Sequence, residues 1–384
     1  MALRFLTAGE SHGAALMGIL EGMPAGLSLS KEQLQSQLRR RQRGHGRGNR
    51  QKIEGDEVEI LAGVRHGRTL GSPLGLLIRN LDFKNWQGLM GAEPPPPGPV
   101  GRRVEVPRPG HADLVGKLKY GFDDMRDALE RSSARETAMR VALGSVARVL
   151  LETCGVHVAS RVVSIGEAAD RSEAPPCSIA ALNAAADASP VRCTDARAEA
   201  AMIAAIDAAK EAGDTLGGVF EVYADGLPVG LGSYAQWDRR LEAPLAAAVM
   251  SLNAIKGVEI GLGFEAARRP GSRAHDELEP RGGKVHYRSN RSGGIDGGIS
   301  TGQPLVVRAA MKPLATLMKA LDSVDLRTMK PAKAHVERSD ACAVPAAAVI
   351  AESLVCLVLA DALLAKFGGD SMTELLPRLK AWKP

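Results

Sequence analysis

Aromatic residues are scarce, with six Phe, three Trp and four Tyr among 384 residues. The core must therefore be built from Ala, Val, Leu and Ile, and few rings are available as stacking platforms for unpaired bases. Cysteine is sparse and unpatterned. Cys154, Cys177, Cys193, Cys342 and Cys356 show no C-x-x-C spacing, which argues against a zinc site and for a reducing, cytoplasmic compartment. The longest apolar run, Ala341 to Ala365, is interrupted by Glu352 and Asp361. It reads as a buried helix, so no membrane span is expected. Met1 to Phe5 runs straight into a polar, glycine-containing segment, so no leader peptide is expected either. Charge is not extreme: +5, with a pI near 9.0. That balance suits a small anionic ligand as well as nucleic acid.

Glycine is abundant, at 42 residues, and much of it is clustered. Such clusters suggest loops whose backbone comes close to a ligand. The chain is organised around Arg131-Ser132-Ser133-Ala134-Arg135-Glu136-Thr137. Ser133-x-x-Glu136 has the form of a capping box. Met139, Ala142, Val146, Val149 and Leu150 then recur at helical spacing as far as Gly155. A helix start gathers unpaired N–H donors and favours an anion, and Arg131 and Arg135 add charge there.

Strands are expected at Arg4–Thr7, Ala14–Glu21, Glu57–Ala62, Leu74–Arg79, Val156–Ile165, Gly217–Tyr223 and Leu305–Met311. Helices are expected at Lys31–Arg41 with Ser30 as N-cap, at Asp195–Ala212, at Leu241–Ile255, and from Pro345 to Phe367 before Gly368-Gly369. Leu81 to Gly110 has no periodicity and reads as a long loop carrying a proline-rich insertion, Pro94 to Pro97. Glu21-Gly22-Met23-Pro24-Ala25-Gly26-Leu27 is echoed by Asp225-Gly226-Leu227-Pro228-Val229-Gly230-Leu231. Turns resemble one another by chance, but a duplicated unit would explain both the echo and the lack of a mid-chain linker. The expectation is one domain over residues 1–384.

His12 lies in Gly9-Glu10-Ser11-His12-Gly13, and His111 in Arg108-Pro109-Gly110-His111-Ala112-Asp113. Histidines in loops are usually surface or packing residues. Two of them in tight glycine turns suit proton transfer, because imidazole titrates near neutrality. Neither has a partner at metal spacing, so no metal is expected. Arg40, Arg41, Arg43, Arg47, Arg50 and Lys52 form a basic run with glycines between. That pattern fits a solvated or RNA-binding arm, or a grip on a compact polyanion. Gly293 to Gly302, Lys312 to Thr316 and Asp340 are weaker candidates, and Asp340 fits a simple cap.

Taken together, these stretches resemble the chorismate synthase family, in the family's order and over nearly the whole chain. The resemblance implies an α+β fold: a β-α-β sandwich with helices between antiparallel sheets, pseudo-two-fold symmetry, and a homotetramer. It implies loss of phosphate from 5-enolpyruvylshikimate 3-phosphate to give chorismate, with reduced FMN and no net redox change. FMN contacts carry over to Arg131, Ser132, Ser133, Asn253, Ala254, Gly297, Lys312, Pro313, Leu314, Ala315, Thr316 and Arg338. Arg41 and Arg47 match NADP positions and also suit substrate anions. His12 is implied beside the flavin, His111 beside the leaving phosphate, and Asp340 in flavin deprotonation. An external flavin reductase is expected as a partner. Ala128-Leu129-Glu130 departs from the glycine run common in the family at that place. Two rival readings are a flavin-independent lyase or phosphatase and a non-enzymatic RNA-binding protein.

Overall fold

The computed structural model describes residues 3–48, 53–94, 101–172, 177–337 and 340–383. Two antiparallel sheets enclose a layer of helices. The first sheet comprises β1 (Arg4–Ala8), β2 (Ala15–Glu21), β3 (Val58–Ala62) and β4 (Leu74–Arg79), in the order β1-β2-β4-β3. The second comprises β5 (His157–Ile165), β6 (Gly218–Asp225), β7 (Ile255–Ile260) and β8 (Leu305–Met311), in the order β7-β8-β6-β5, with a two-residue strand Ala168–Ala169 at its edge.

Among the helices are α1 (Lys31–Gln42), α2 (Asp113–Tyr120), α3 (Arg126–Ser132), α4 (Thr137–Thr153), α5 (Ile179–Ala188), α6 (Glu242–Met250) and α7 (Val344–Phe367); two more run from Ala196 to Glu211, as the sequence suggested, and from Met372 to Ala381. Helix α4 lies on the first sheet and against α7, which covers the second sheet. Residues along β2 alternate between the two faces. Leu16, Gly18 and Leu20 point inward, while Met17 and Ile19 are exposed. Gly18 allows α4 to approach: a Cβ there would sit 2.6 Å from the Met139 sulfur. Gly144 of α4 is equally constrained by Ser353 of α7. Helix α7 is mostly apolar and mostly buried, with Glu352, Asp361 and Lys366 its charged residues, as the sequence suggested.

The internal echo is a structural repeat. Setting aside the helices inserted between β5 and β6 and between β4 and α4, the succession β1-β2-α1-β3-β4-α4 recurs as β5-β6-α6-β7-β8-α7, with matching sheet orders. The two echoed turns even share their hydrogen bonds. Leu27 N donates to Thr69 Oγ1 at 3.0 Å, and Thr69 Oγ1 donates to the Pro24 carbonyl. Leu231 N donates to Ser300 Oγ at 2.8 Å, and Ser300 Oγ donates to the Pro228 carbonyl. Gly22, Gly26, Gly226 and Gly230 all have positive φ, from 74° to 96°, which a side chain would strain.

A buried charge knot joins the layers. Glu352 of α7, fully buried, accepts from Arg40 of α1, Arg148 of α4, Arg192 and Ser160 of β5. Burial opposes its charge, but the arginines outweigh burial and bring its pKa down to about 2.

Several local expectations need correction. The helix expected from Leu241 to Ile255 ends at Met250, and Ile255 opens β7. Ala254, at φ +67°, breaks the run. Trp86 stands between a 3-10 turn, Leu81–Asn85, and a helical turn, Gln87–Met90, so the long loop has structure in its first part. Most of the proline tract lies outside the described residues, as do Arg50, Lys52 and Arg338.

Candidate active site

Two crossover segments, 104–136 and 312–343, occupy equivalent places in the two repeats, between the third strand in sheet order and the central helix. They meet each other. Arg108 reaches Glu337 at 3.3 Å, Ser323 Oγ donates to the Pro107 carbonyl, and Lys312 Nζ donates to the Gly110 carbonyl at 2.6 Å.

Each histidine turn has the same internal plan. His12 Nδ1 lies 2.9 Å from Glu130 Oε1, and Arg126 holds the same oxygen at 3.0 Å. His111 Nδ1 lies 2.6 Å from Asp113 Oδ1, and Arg108 holds that carboxylate through Nε and NH2. Both carboxylates are buried. Burial pushes each upward, but hydrogen bonds and opposite charge prevail and keep both below the usual carboxylate range. An ionised carboxylate only accepts, so each Nδ1 carries the proton and the neutral ring's Nε2 keeps the lone pair. Arg108 NH2 also lies 3.2 Å from His111 Nδ1. A protonated nitrogen cannot accept, so that guanidinium serves Asp113.

Trp86 stacks on the His12 ring at 4.0 Å, and Arg102 lies over the indole at 4.2 Å. Around His12 the main chain is also fixed. Asn80 Nδ2 donates to the carbonyls of Glu10 and Gly13, and Ser11 N donates to the Glu130 carbonyl.

A sequence of bonds connects the two turns. Lys312, beside Gly110, donates its main-chain N to the Ala254 carbonyl at 2.9 Å. Asn253 Nδ2 donates to the Ser132 carbonyl at 3.0 Å. Ser133 Oγ accepts from Ser11 Oγ at 3.1 Å, next to His12. The Lys312 segment also extends toward Asp340. Thr215 Oγ1 donates to the Leu314 carbonyl, and Leu216 N to the Ala341 carbonyl. Asp340 pairs with Arg47 at 2.9 Å and accepts from Gly48 N at 2.6 Å.

The central stretch differs from its sequence reading. Arg131 and Ser132 end α3, and Ser133 caps the short 3-10 turn Ala134–Glu136 by accepting from Arg135 N. Glu136 pairs with Arg140 of α4 at 2.9 Å, so the expected capping box does not form. The stretch is a junction between helices, which leaves its polar groups pointing several ways. Arg131 donates to the carbonyls of Gly9 and Thr7. Arg135 is buried on Asp56, Asn80 and Glu54.

The basic run is not a uniform surface. Arg41 is buried and donates to Asp56, Thr137 Oγ1 and the Ala134 carbonyl. Burial lowers its pKa to about 10, with Arg47 and Arg135 acting the same way and Asp56 opposing them. A ligand anion would have to displace these acceptors. Arg40 belongs to the Glu352 knot. Gly297 stands at the exposed tip of the 295–300 hairpin, and none of the bonds described above reaches it.

A match to the family described as chorismate synthase covers residues 3–364. The chain belongs to the chorismate synthase family. A chorismate synthase of Kocuria rhizophila is 55% identical over 382 residues, covering 97% of this chain and 91% of that protein. The chorismate synthase of Acidothermus cellulolyticus is 55% identical, covering 99% and 98%. A solved structure, "Crystal Structure of Chorismate Synthase", superposes with a TM-score of 0.80 at 43% identity, covering 99% of this chain and 97% of that one. The chain is thus an enzyme of this family.

Beside the residues read from the sequence, the chorismate synthase fold places four that the reading did not single out: Glu130, Arg126, Trp86 and Asp113. Only Asp113 had a local signal, two residues after His111.

Proposed function

We propose that the chain is a lyase that eliminates phosphate from 5-enolpyruvylshikimate 3-phosphate to give chorismate, the last step of the shikimate pathway. We further propose that it uses reduced FMN without net redox change. The observation that carries this reading is the bonded path joining the His12 and His111 turns through Lys312, Asn253, Ser132 and Ser133.

The residues present fit a flavin. Asn253 Oδ1 is buried without a hydrogen-bond partner among the described residues while its Nδ2 is engaged, and a ring N–H of a reduced flavin would satisfy it. Gly297 has open space where a side chain would stand. Arg131, Ser132, Ser133, Asn253, Ala254, Gly297, Arg338 and Lys312 through Thr316 would hold the cofactor. When bound, the reduced flavin supplies electron density as phosphate leaves and recovers it as the ring hydrogen departs.

The protein's part is placement and proton handling. His111 exchanges protons at Nε2 beside the leaving phosphate, and Asp113 stabilises the ring when it becomes charged. His12 does the same beside the flavin. Lys312 and Arg47 supply positive charge, Arg41 supports the 134–137 turn, and Asp340, paired with Arg47, would accept a proton in the surroundings of a bound flavin. Trp86 keeps water from one face of the His12 ring. NADPH would serve only as an external reductant or as one bound at Arg41 and Arg47, and an external reductase is the expected flavin source. Leu6, Met17 and Ile19, on the outer face of the first sheet, are 51–61% exposed. That apolar face suits assembly as a homotetramer, and the free cysteines suit the cytoplasm.

His111→Ala and His12→Ala are the test. Each is expected to lower turnover by roughly a hundredfold or more with an unchanged circular dichroism spectrum. Wild-type turnover in either variant would sink that histidine's assignment.

A further inference from the structure

His12 is bound more closely than a histidine held only by packing. Two elements 118 residues apart in sequence meet here, the turn after β1 and the end of α3. The Glu130 carboxylate takes the main-chain N–H of His12 on Oε2 at 2.8 Å and the ring Nδ1 on Oε1 at 2.9 Å. One side chain therefore fixes both the backbone and the ring of the same residue. The carboxylate side chain has no solvent exposure, whereas the His12 side chain retains 13%. Arg126, one helical turn earlier, holds Oε1 at 3.0 Å. The ring's Nε2 makes no hydrogen bond among the described residues.

We propose that Glu130 is the positioning residue of His12, holding the imidazole as the Nδ1–H tautomer so that Nε2 alone exchanges protons in the site. The inference rests on the reading of His12 given above as regards catalysis, but the tautomer is a property of the free protein. The carboxylate already accepts from His12 N and Arg126, and being ionised it has no proton to give; Nδ1, 2.9 Å from Oε1, makes a hydrogen bond there only when the ring carries its proton on that nitrogen. Glu130 also steadies the imidazolium when Nε2 takes a proton, as carboxylate partners of histidine do elsewhere. Asp113 holds the His111 ring in the same way, though its main-chain contact is to Arg108 N and not to His111 N. The arrangement at His12 has a structural consequence as well. Glu130 anchors Gly9–Gly13 to the helix junction, so a change there displaces the ring and not only its charge.

The test is nitrogen NMR on ligand-free protein labelled with 15N in histidine, comparing wild type, Glu130→Gln and Glu130→Asp. Wild type is expected to show neutral His12 as the Nδ1–H form. Glu130→Gln, whose amide can donate to Nδ1 as well as accept from it, is expected to shift the population toward Nε2–H. Its kcat should fall roughly tenfold or more, with KM within about twofold. Glu130→Asp, which keeps the charge, is expected to restore the Nδ1–H form at least in part, and this protects the result against a simple folding defect. An Nε2–H signal in wild type, or an identical tautomer in Glu130→Gln, would overturn the proposal. Full turnover in His12→Ala would instead overturn the catalytic reading and leave the tautomer result to stand alone.

Discussion

Lys312 donates Nζ to the carbonyl of Gly110 at 2.6 Å, across 202 residues of chain. This bond joins the two crossover segments where the histidine turn of one meets the Lys312–Thr316 loop of the other. Gly110 has φ +78°, and a Cβ there would lie 3.2 Å from Lys312 Nζ, so the contact depends on glycine. Lys312→Met removes both the bond and the charge. The lysine is half-buried, so the expected stability loss is about 1 kcal/mol. KM for the phosphorylated substrate or Kd for reduced FMN should rise roughly tenfold, about 1.4 kcal/mol. Steady-state kinetics and anaerobic titration decide between them, and no change in either would remove Lys312 from the site.

Asn253 offers a cleaner separation of scaffold from ligand. Its Nδ2 is engaged with Ser132, but its Oδ1 is buried and has no partner among the described residues. Asn253→Ala is expected to cost about 1 kcal/mol of stability while weakening reduced FMN about tenfold or more. Equal affinity in wild type and variant, read by anaerobic fluorescence titration, would show that Oδ1 faces no ligand.

Glu352 makes acid stability predictable. Its pKa is about 2 in the folded protein against an ordinary 4.5. A depressed carboxylate contributes stability that is fully present above pH 4.5 and lost as pH falls toward 2. The difference corresponds to on the order of 3 kcal/mol. Glu352→Gln leaves Arg40, Arg148 and Arg192 buried without their carboxylate and should lose about 3–5 kcal/mol at neutral pH. The gap between wild type and variant should narrow between pH 4.5 and 2 in denaturant titrations. A constant gap across that range would assign the stabilisation elsewhere.

Thr69 and Ser300 should behave as equivalents. Both are buried, and each bridges an echoed turn. Thr69→Val and Ser300→Ala each leave a buried main-chain donor, Leu27 N or Leu231 N, without its acceptor. Each should cost about 1–3 kcal/mol in urea unfolding. A loss at one position only would mean that the symmetry of the turns is geometric and not energetic.

The sequence made the repeat legible because Gly and Pro mark turns locally, and because strands such as Leu305–Met311 carry their own alternation. The α7 run was legible for a similar reason: an apolar stretch that ends in Gly368-Gly369 has little else to form. What escaped was pairing at a distance. Glu130 stood out only as a departure from a glycine run, and nothing near it in sequence pointed to a ring 118 positions away. Arg41 reads as an exposed cation until Asp56 and Thr137 close over it. Ala254 adopts a left-handed backbone that alanine rarely takes, and nothing in its local sequence marks the end of the helix before Ile255. The Ser133-x-x-Glu136 pattern failed because Arg140, one turn into α4, is a stronger partner for Glu136 than a backbone N–H.

The central claim is elimination of phosphate assisted by a flavin that is not consumed. The direct measurement is anaerobic turnover of 5-enolpyruvylshikimate 3-phosphate with substoichiometric reduced FMN, following chorismate, phosphate and the flavin spectrum together. The prediction is equal yields of chorismate and phosphate, many turnovers per flavin, and a flavin still reduced at the end. Phosphate release at the same rate without flavin, or one flavin oxidised for each product formed, would contradict it.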